Sequence, residues 1–333
     1  MSSRRARALA DLGERLLARE RAAVAPALNL VDDRRPEARK EAAALLAALE
    51  EKTLLGGARR IGLTGAPGAG KSTLLGALVQ RFRSRDQTVG VIAVDPSSQR
   101  TGGALLGDRM RVRSGSADPG VFIRSLAARD QLGGLAEAAR ASVTIVAAAF
   151  DVVLVETVGV GQSEGEVADL VDTLVYVAQP GAGDLLQFMK AGILELPDVV
   201  AVNKADLGPM AERTANELMA GAGMGERTTE WVPPVVLVSA QEGTGLDELE
   251  AALESHLESL GPNGLQERRR RGRDAGVRVS LERRYGSHGL AAWGGHAKLE
   301  ARLAEAQDHS GFALAEALGQ EIESALRGGG SDL

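Results

Sequence analysis

Residues 65 to 72 read GAPGAGKS and match the pattern G-x-x-x-x-G-K-[ST] in full. An apolar run from Ile61 to Thr64 predicts a strand before the motif, and a helical pattern begins at Thr73 after it. Glycines let such a loop curl closely enough for several backbone N–H groups to point at phosphate oxygens. The N-terminus of the following helix adds its positive end. The stretch therefore predicts a loop that binds the phosphates of a nucleoside triphosphate.

Every residue of this loop is a predicted nucleotide contact. The set comprises Gly65, Ala66, Pro67, Gly68, Ala69, Gly70, Lys71, Ser72 and Thr73. We expect Lys71 to bridge the β- and γ-phosphates and the Ser72 hydroxyl to ligate Mg²⁺.

Seven short runs rich in β-branched residues alternate with helical stretches between residues 59 and 250. They lie at 59–64, 88–94, 120–125, 151–156, 173–178, 198–203 and 234–239. These runs are apolar throughout, which is typical of strands covered on both faces. Alternating strands and helices predict an α/β fold with a mostly parallel central sheet flanked by helices.

Helical sequence flanks this central part. We expect an N-terminal helical extension over residues 1–55, a phosphate-loop domain over 56–258 and a C-terminal helical segment over 259–333, with 328–333 disordered. The basic run 268–271 indicates either a boundary or the start of a charged helix. An apolar stripe recurs every fourth residue on a late helix and packs either on its own domain or on a second copy of the chain. The stripe consists of Leu314, Leu318, Ile322 and Leu326.

The tetrapeptide Asn203-Lys204-Ala205-Asp206 ends a predicted buried strand. A carboxylate at Asp206 can accept hydrogen bonds from N1–H and the exocyclic amine of guanine, a donor pair that adenine lacks. We expect Lys204 to lie along the ring and Asn203 to tie this loop to the phosphate loop. Ser239 and Ala240 follow the last predicted strand, where a backbone N–H would meet the guanine O6. Together these motifs favour GTP over ATP.

Three acids complete the candidate site: Asp95, Asp108 and Glu156. Asp95 and Glu156 end predicted strands, where ligands bind in a parallel sheet, and Asp108 follows a glycine-rich stretch. An isolated acid in a loop is usually a solvated cap or turn residue. Their combination with the stretch ETVGVGQSE, residues 156–164, and with GAGD, residues 181–184, is not generic.

At this point the chain resembles the MeaB/ArgK-type GTPases, the family of the human methylmalonic aciduria type A protein. The resemblance covers roughly residues 20–250 and implies a P-loop GTPase fold. It also implies GTP hydrolysis, and a role as chaperone of an adenosylcobalamin-dependent acyl-CoA mutase, chiefly methylmalonyl-CoA mutase. Such a chaperone gates delivery of the cobalamin cofactor and protects the mutase, with GTP binding and hydrolysis as its switch.

The resemblance also assigns roles to individual residues. It implies that Asp95, Asp108 and Glu156 surround the metal beside Ser72, and that Lys71 contacts phosphate. Gly159 matches the glycine whose N–H senses the γ-phosphate, and Gln162 continues that switch and is a candidate to position water.

A further loop, residues 179–195, matches one that couples nucleotide state to the mutase, with Asp184 and Lys190 at its charged positions; an ordinary surface pair is the alternative for these two. The C-terminal part lacks the tryptophan-rich dimerisation helix of the family, which leaves the expected homodimer without its usual contact.

Composition narrows the partners, the location and the function classes that remain open for this chain. The formal net charge is −6, which argues against bulk binding of nucleic acid. No apolar run approaches the roughly 20 residues that span a bilayer, so we expect a cytoplasmic protein without a membrane partner. The chain has no cysteine, which disfavours a metallocentre-maturation GTPase that inserts nickel through Cys/His clusters. A kinase that transfers the γ-phosphate and an assembly protein timed by hydrolysis remain as alternatives.

Overall fold

The structure, a computed structural model, describes residues 3–33, 35–54, 56–95, 118–127, 132–157, 163–181, 196–222, 231–306 and 309–328. The chain divides into two compact units. The first comprises Met1–Ala58, Asp130–Ala149 and Arg268–Leu333, and the second comprises Arg59–Arg129 and Phe150–Glu267. The three-part division expected from sequence, with limits at 55/56 and 258/259, stays a prediction.

Between residues 59 and 237 the described strands alternate with helices as the sequence predicts, apart from the stretches 96–117 and 182–195, which lie outside the described residues. The helices are α1 (Ser3–Leu17), α2 (Arg21–Asp32), α3 (Pro36–Leu54), α4 (Lys71–Ser84), α5 (Leu132–Ala149), α6 (Ser163–Ala168), α7 (Pro209–Ala222), α8 (Leu246–Trp293), α9 (Gly295–Glu305) and α10 (Gly311–Gly328). The strands are β1 (Arg59–Thr64), β2 (Val89–Asp95), β3 (Val121–Ala127), β4 (Val152–Glu156), β5 (Thr173–Ala178), β6 (Val199–Val202) and β7 (Val235–Leu237). Among these described helices, none is long and apolar enough to cross a membrane.

The second unit is built on one sheet of seven strands in the order β3-β2-β4-β1-β5-β6-β7. All six strand pairings are parallel, which confirms the expected sheet. Each of the seven apolar runs predicted from sequence overlaps one of these strands, and β2 and β3 extend one and two residues beyond their runs. β1 lies between β4 and β5, so the loop that follows β1 emerges near the middle of the carboxyl edge, where parallel sheets bind ligands.

Helix α4 packs on this sheet through one apolar face. Its buried side chains are Leu74, Leu75, Leu78, Val79 and Phe82. They share a core cluster with Ile61 and Leu63 of β1 and with Leu154 of β4. Burial of a leucine side chain contributes about 1.5–3 kcal/mol, so this contact holds the start of α4 in a fixed place at the carboxyl edge.

The first unit is helical in its described parts, and the apolar stripe of α10 packs inside it. Leu314, Leu318 and Ile322 are buried in a cluster with Leu281 and Trp293. The fourth stripe residue, Leu326, is 40% exposed. Three of the four stripe residues therefore pack inside their own unit, which is the first of the two alternatives offered by the sequence, the other being a contact with a second copy of the chain.

The basic run 268–271 lies inside helix α8 and does not start a helix. The division between the two units falls at its first residue, yet α8 continues through it. Arg269 is buried and donates hydrogen bonds to the carbonyl oxygens of Thr53, Gly56 and Ala58, at 2.8, 2.9 and 3.0 Å. Thr53 lies in the last turn of α3, and Gly56 and Ala58 follow that helix, so the arginine caps the C-terminal end of α3 and holds the residues after it within the first unit.

Candidate functional site

The phosphate loop has a backbone that only glycine adopts easily. Gly65, Gly68 and Gly70 have φ angles of 137°, 82° and 90°. A Cβ at Gly65 would lie 2.2 Å from the carbonyl oxygen of Val177, and one at Gly70 would lie 2.3 Å from the side-chain amide nitrogen of Asn203. Both contacts are far inside van der Waals distance. The spacing of glycines in the motif therefore reflects the close approach of neighbouring strand ends.

Lys71 is the first residue of α4, and its side chain is held by the loop that precedes it. Its Nζ donates to the carbonyl oxygens of Gly65 at 2.7 Å and Ala66 at 3.0 Å, and the residue is 7% exposed. The first turn of α4 contributes backbone N–H groups without partners inside the helix, and the residue at its N-cap, Gly70, makes no side-chain cap. A buried ammonium beside these N–H groups forms a site for an anion such as a phosphate.

The loop after β6 is fastened to the phosphate loop. Asn203 donates from its side-chain amide to the carbonyl oxygen of Ala69 at 2.9 Å, and its Oδ1 accepts from the backbone N–H of Ala240 at 3.2 Å. Lys204 donates through Nζ to the carbonyl oxygen of Gly68 at 2.9 Å. The expected tie between Asn203 and the phosphate loop is therefore present in the geometry. The contacts of these residues with guanine stay predictions.

Asp206 is exposed at the rim of the site, and its carboxylate is held by a buried hydroxyl. Ser239 donates through Oγ to Asp206 Oδ1 at 2.6 Å, and the same Oγ accepts from the backbone N–H of Glu242 at 3.2 Å. The sequence indicated only a backbone contact for Ser239. Its hydroxyl orients the acid, a role that the choice of serine after β7 could have suggested.

The acid at the end of β4 meets the first turn of α4. Ser72 donates through Oγ to Glu156 Oε1 at 2.6 Å, and Glu156 is 2% exposed. The register places Glu156 between Leu63 of β1 and Ala93 of β2, so Asp95 lies two residues further along the neighbouring strand. A hydroxyl and a carboxylate are the hard oxygen donors that Mg²⁺ takes, so this pair fits that ion.

Several predicted site residues lie outside the described residues. They are Asp108, Gly159, Gln162, Asp184 and Lys190, and the side chain of Asp95 is not described either.

A threonine that the sequence analysis did not single out continues the β4 edge. Thr157 is fully buried, donates through Oγ1 to Thr64 Oγ1 at 3.1 Å, and donates its backbone N–H to the carbonyl oxygen of Leu63. It fixes the end of β4 against the start of the phosphate loop. Further along, burial and then the carboxylate of Asp169 raise the pKa of Glu166 in α6.

A parallel sheet with a phosphate loop after β1 and an Asn-Lys-x-Asp loop after β6 defines a P-loop GTPase, a protein that binds GTP and GDP and hydrolyses GTP. Comparison with protein families identifies the family of P-loop GTPases to which the chain belongs. The family model described as methylmalonyl-CoA mutase-associated GTPase MeaB matches residues 24–285, and the chain belongs to that family.

Three curated relatives are similar to the chain, and two of them are named as GTPases. A protein of Pyrococcus horikoshii named as a GTPase is 41% identical over 303 residues, covering 90% of each chain. GTPase ArgK of Escherichia coli is 40% identical over 72% of this chain and 73% of its own. The mitochondrial methylmalonic aciduria type A homolog of Mus musculus is 37% identical over 69% of this chain and 58% of its own.

Among solved structures, the crystal structure of an LAO/AO transport system kinase superposes with a TM-score of 0.68. The two chains are 29% identical, and the match covers 96% of this chain and 95% of that one. The resemblance drawn from the motifs is thereby confirmed at the level of family and fold.

Proposed function

We propose that this GTPase is a chaperone of an adenosylcobalamin-dependent acyl-CoA mutase of the methylmalonyl-CoA mutase type, that it gates delivery of the cobalamin cofactor and that it protects the mutase. The observation that carries the proposal is the family match, whose printed description names the mutase. The matched residues, 24–285, include the whole nucleotide-binding unit. The mutase named in the description is therefore associated with a family whose members share this nucleotide-binding unit.

In this proposal the chain hydrolyses GTP mainly by positioning and by neutralising charge. Lys71 and the backbone N–H groups at the start of α4 hold the phosphates, with Ser72 and Glu156 as the residues that hold Mg²⁺, joined by Asp95 and Asp108. Bound there, Mg²⁺ would neutralise charge that develops on the phosphate oxygens. Gly159 reports the γ-phosphate and Gln162 positions water. Hydrolysis is slow until a partner orders these residues.

Replacing Glu156 by alanine separates metal-dependent chemistry from nucleotide affinity. We expect Glu156→Ala to lower the rate of Mg²⁺-dependent GTP hydrolysis about 100-fold, because the carboxylate acts on the phosphates only through the ion that it helps to hold. GDP affinity measured in EDTA should change by less than about threefold. Steady-state phosphate release and calorimetric titration with GDP give the two numbers.

The control for this substitution is Glu212→Ala, an exposed acid in the first turn of α7. It should leave both quantities at the wild-type level. If Glu156→Ala lowers GDP affinity in EDTA as much as it lowers hydrolysis, the carboxylate supports the fold of the loop and not the ion.

The chaperone role also defines the partners that we propose for this chain. We propose a homodimer that works with the mutase in the cytoplasm and has neither a nucleic-acid nor a membrane partner. Asp184 and Lys190 belong to the proposed loop through which nucleotide state reaches the mutase.

The mutase itself provides the test. Purified protein is mixed with methylmalonyl-CoA mutase, and GTP turnover is followed together with the half-life of mutase activity. We expect turnover to rise at least about tenfold, since partners that order a GTPase site give large accelerations, and the mutase to stay active longer with GTP than without nucleotide. Phosphate should be released in step with GDP, which separates hydrolysis from transfer to an acceptor. Unchanged turnover together with an unchanged mutase half-life would remove the chaperone role.

A further inference from the structure

A three-residue turn, Gln179 to Gly181, follows β5 and lies against the phosphate loop. β5 itself approaches the loop closely, since the carbonyl oxygen of Val177 would be 2.2 Å from a Cβ at Gly65. Two residues later the side chain of Gln179 reaches the middle of the loop, where its Oε1 lies 3.6 Å from the place that a Cβ at Gly68 would occupy. The turn is thus a neighbour of the loop that holds the phosphates.

Gly68 is also held by the guanine-motif loop. Its carbonyl oxygen accepts a hydrogen bond from Nζ of Lys204 at 2.9 Å. Gly68 has a φ of 82° and is exposed. Because it is a glycine, it has no side chain that could pack it into place. Gly68 therefore has two side chains at its sides, that of Lys204 after β6, which is hydrogen-bonded to it, and that of Gln179 after β5, which lies within van der Waals reach.

The turn is anchored in its own right by helix α7. Thr214 is 4% exposed, and its Oγ1 accepts from the backbone N–H of Gly181 at 3.3 Å while it donates to the carbonyl oxygen of Met210 at 3.1 Å. Met210 adds a second contact, with its Sδ 3.0 Å from the place of a Cβ at Gly181. Gly181 has a φ of 70°, a conformation that side chains disfavour.

We propose that Thr214 is a positioning residue of the nucleotide site, which holds the turn Gln179–Gly181 against Gly68 and thereby slows the release of bound GDP and GTP. In this proposal the N–H groups of the phosphate loop hold the phosphates, and a loop that is held less firmly releases the nucleotide faster. Because Thr214 fixes Gly181, it limits how far Gln179 can withdraw from Gly68. The proposal concerns nucleotide binding alone and stands whether or not the mutase is the partner.

The test is the rate constant of GDP release. Fluorescently labelled mant-GDP is loaded on the protein and displaced by excess unlabelled GDP. We expect Thr214→Val, which keeps the shape and removes the hydroxyl, to raise the rate constant about fivefold, in line with the loss of the hydrogen bond from Gly181, the one that holds the turn. Thr214→Ser restores the hydroxyl and should stay within about twofold of wild type. Hydrogen exchange of the Gly181 amide should rise in the valine variant alone.

A double-mutant cycle tells whether Thr214 acts by positioning the turn Gln179–Gly181 or by stabilising the protein in general. Gln179→Ala should raise the release rate by a similar factor, and adding Thr214→Val to it should give no further increase, because the threonine acts through the turn. Independent, multiplying effects would overturn the proposal, as would release at the wild-type rate in the valine variant. A serine variant as fast as the valine variant would also overturn it. If the valine variant does not fold, Gln179→Ala alone must still accelerate release.

The first unit supplies a matched control. Thr144 in α5 is a buried threonine whose Oγ1 donates to the carbonyl oxygen of Arg140, four residues earlier, at 3.0 Å. Thr214 makes the same bond to Met210 but also accepts from Gly181. Thr144→Val should therefore release GDP at the wild-type rate; acceleration equal to that of Thr214→Val would attribute the effect to lost helix stability.

Discussion

Replacing Asp206 by asparagine should change the preferred base from guanine to xanthine. The carboxylate is expected to accept from N1–H and the exocyclic amine of guanine, and an amide can accept only one of these bonds while its NH₂ group faces the other donor. Xanthine carries an oxygen in place of the amine, so the amide of asparagine pairs with both positions. We expect GTP affinity to fall about 100-fold or more, since charged hydrogen bonds contribute about 1.5–3 kcal/mol each.

The measurement is a competition between mant-GDP and unlabelled GDP or XDP, followed for wild type and Asp206→Asn. A matched control is Asp247→Asn on α8, the same chemical change at a carboxylate whose side chain is 82% exposed and paired with Arg81. The control should keep the wild-type order of affinities. If Asp206→Asn binds GDP as tightly as wild type and gains nothing for XDP, Asp206 does not read the base.

The sequence predicts the seven strands of the fold because they share one physical cause. Strands covered on both faces carry near-continuous apolar runs, and each such run overlaps a strand of the parallel sheet. The order β3-β2-β4-β1-β5-β6-β7 could not be read from the runs, since nothing in an apolar run says which neighbour it pairs with. That order is what brings Glu156 beside the end of β1.

The basic run 268–271 shows where charge patterns mislead. Pro262, Gly264 and the four arginines after them indicate either a boundary or the start of a charged helix, and the chain does divide into two units at Arg268. Helix α8 nevertheless continues through it, with Gly261 at a φ of 58° just before the proline. Arg269 is buried because it satisfies three backbone carbonyls at a helix end, a partner set supplied by residues more than 200 positions away.

The candidate site was predictable where a motif fixes spacing and unpredictable where side chains meet across strand ends. The loop of glycines before Lys71 and the Asn-Lys-x-Asp loop follow from local chemistry. The hydrogen bond from Ser72 to Glu156 and that from Ser239 to Asp206 depend on which strands are neighbours. Thr214 gave no signal at all, since a threonine that donates to the carbonyl four residues earlier is common in helices.

The long acid at the end of β4 now has a geometric explanation. P-loop proteins usually carry aspartate at this strand end, and here Glu156 reaches the hydroxyl of Ser72 at 2.6 Å while remaining almost fully buried. The additional methylene spans the gap between the β4 end and the first turn of α4. An aspartate would stop short of the hydroxyl by about one carbon–carbon bond, so Glu156 and Ser72 are a matched pair.

Removing the side chain of Lys71 should abolish nucleotide binding. The Nζ is buried and fixed by the carbonyl oxygens of Gly65 and Ala66 at 2.7 and 3.0 Å, so its charge stands at the centre of the loop with little conformational freedom left to lose on binding. We expect Lys71→Ala to lower GTP and GDP affinity at least about 1000-fold, because a charged bond to phosphate in a water-poor site is strong. Calorimetric titration with GTP should show no binding heat at micromolar protein.

Two further variants separate the charge from the volume and from the general effect of losing a lysine. Lys71→Met keeps a long unbranched chain in the buried channel and should bind as poorly as the alanine variant, because the phosphates need the ammonium and not the methylenes. Lys52→Ala removes an exposed lysine near the end of α3 and should bind GTP normally. Unchanged GTP affinity in Lys71→Ala, with thermal unfolding like that of wild type, would place the phosphates elsewhere than in this loop.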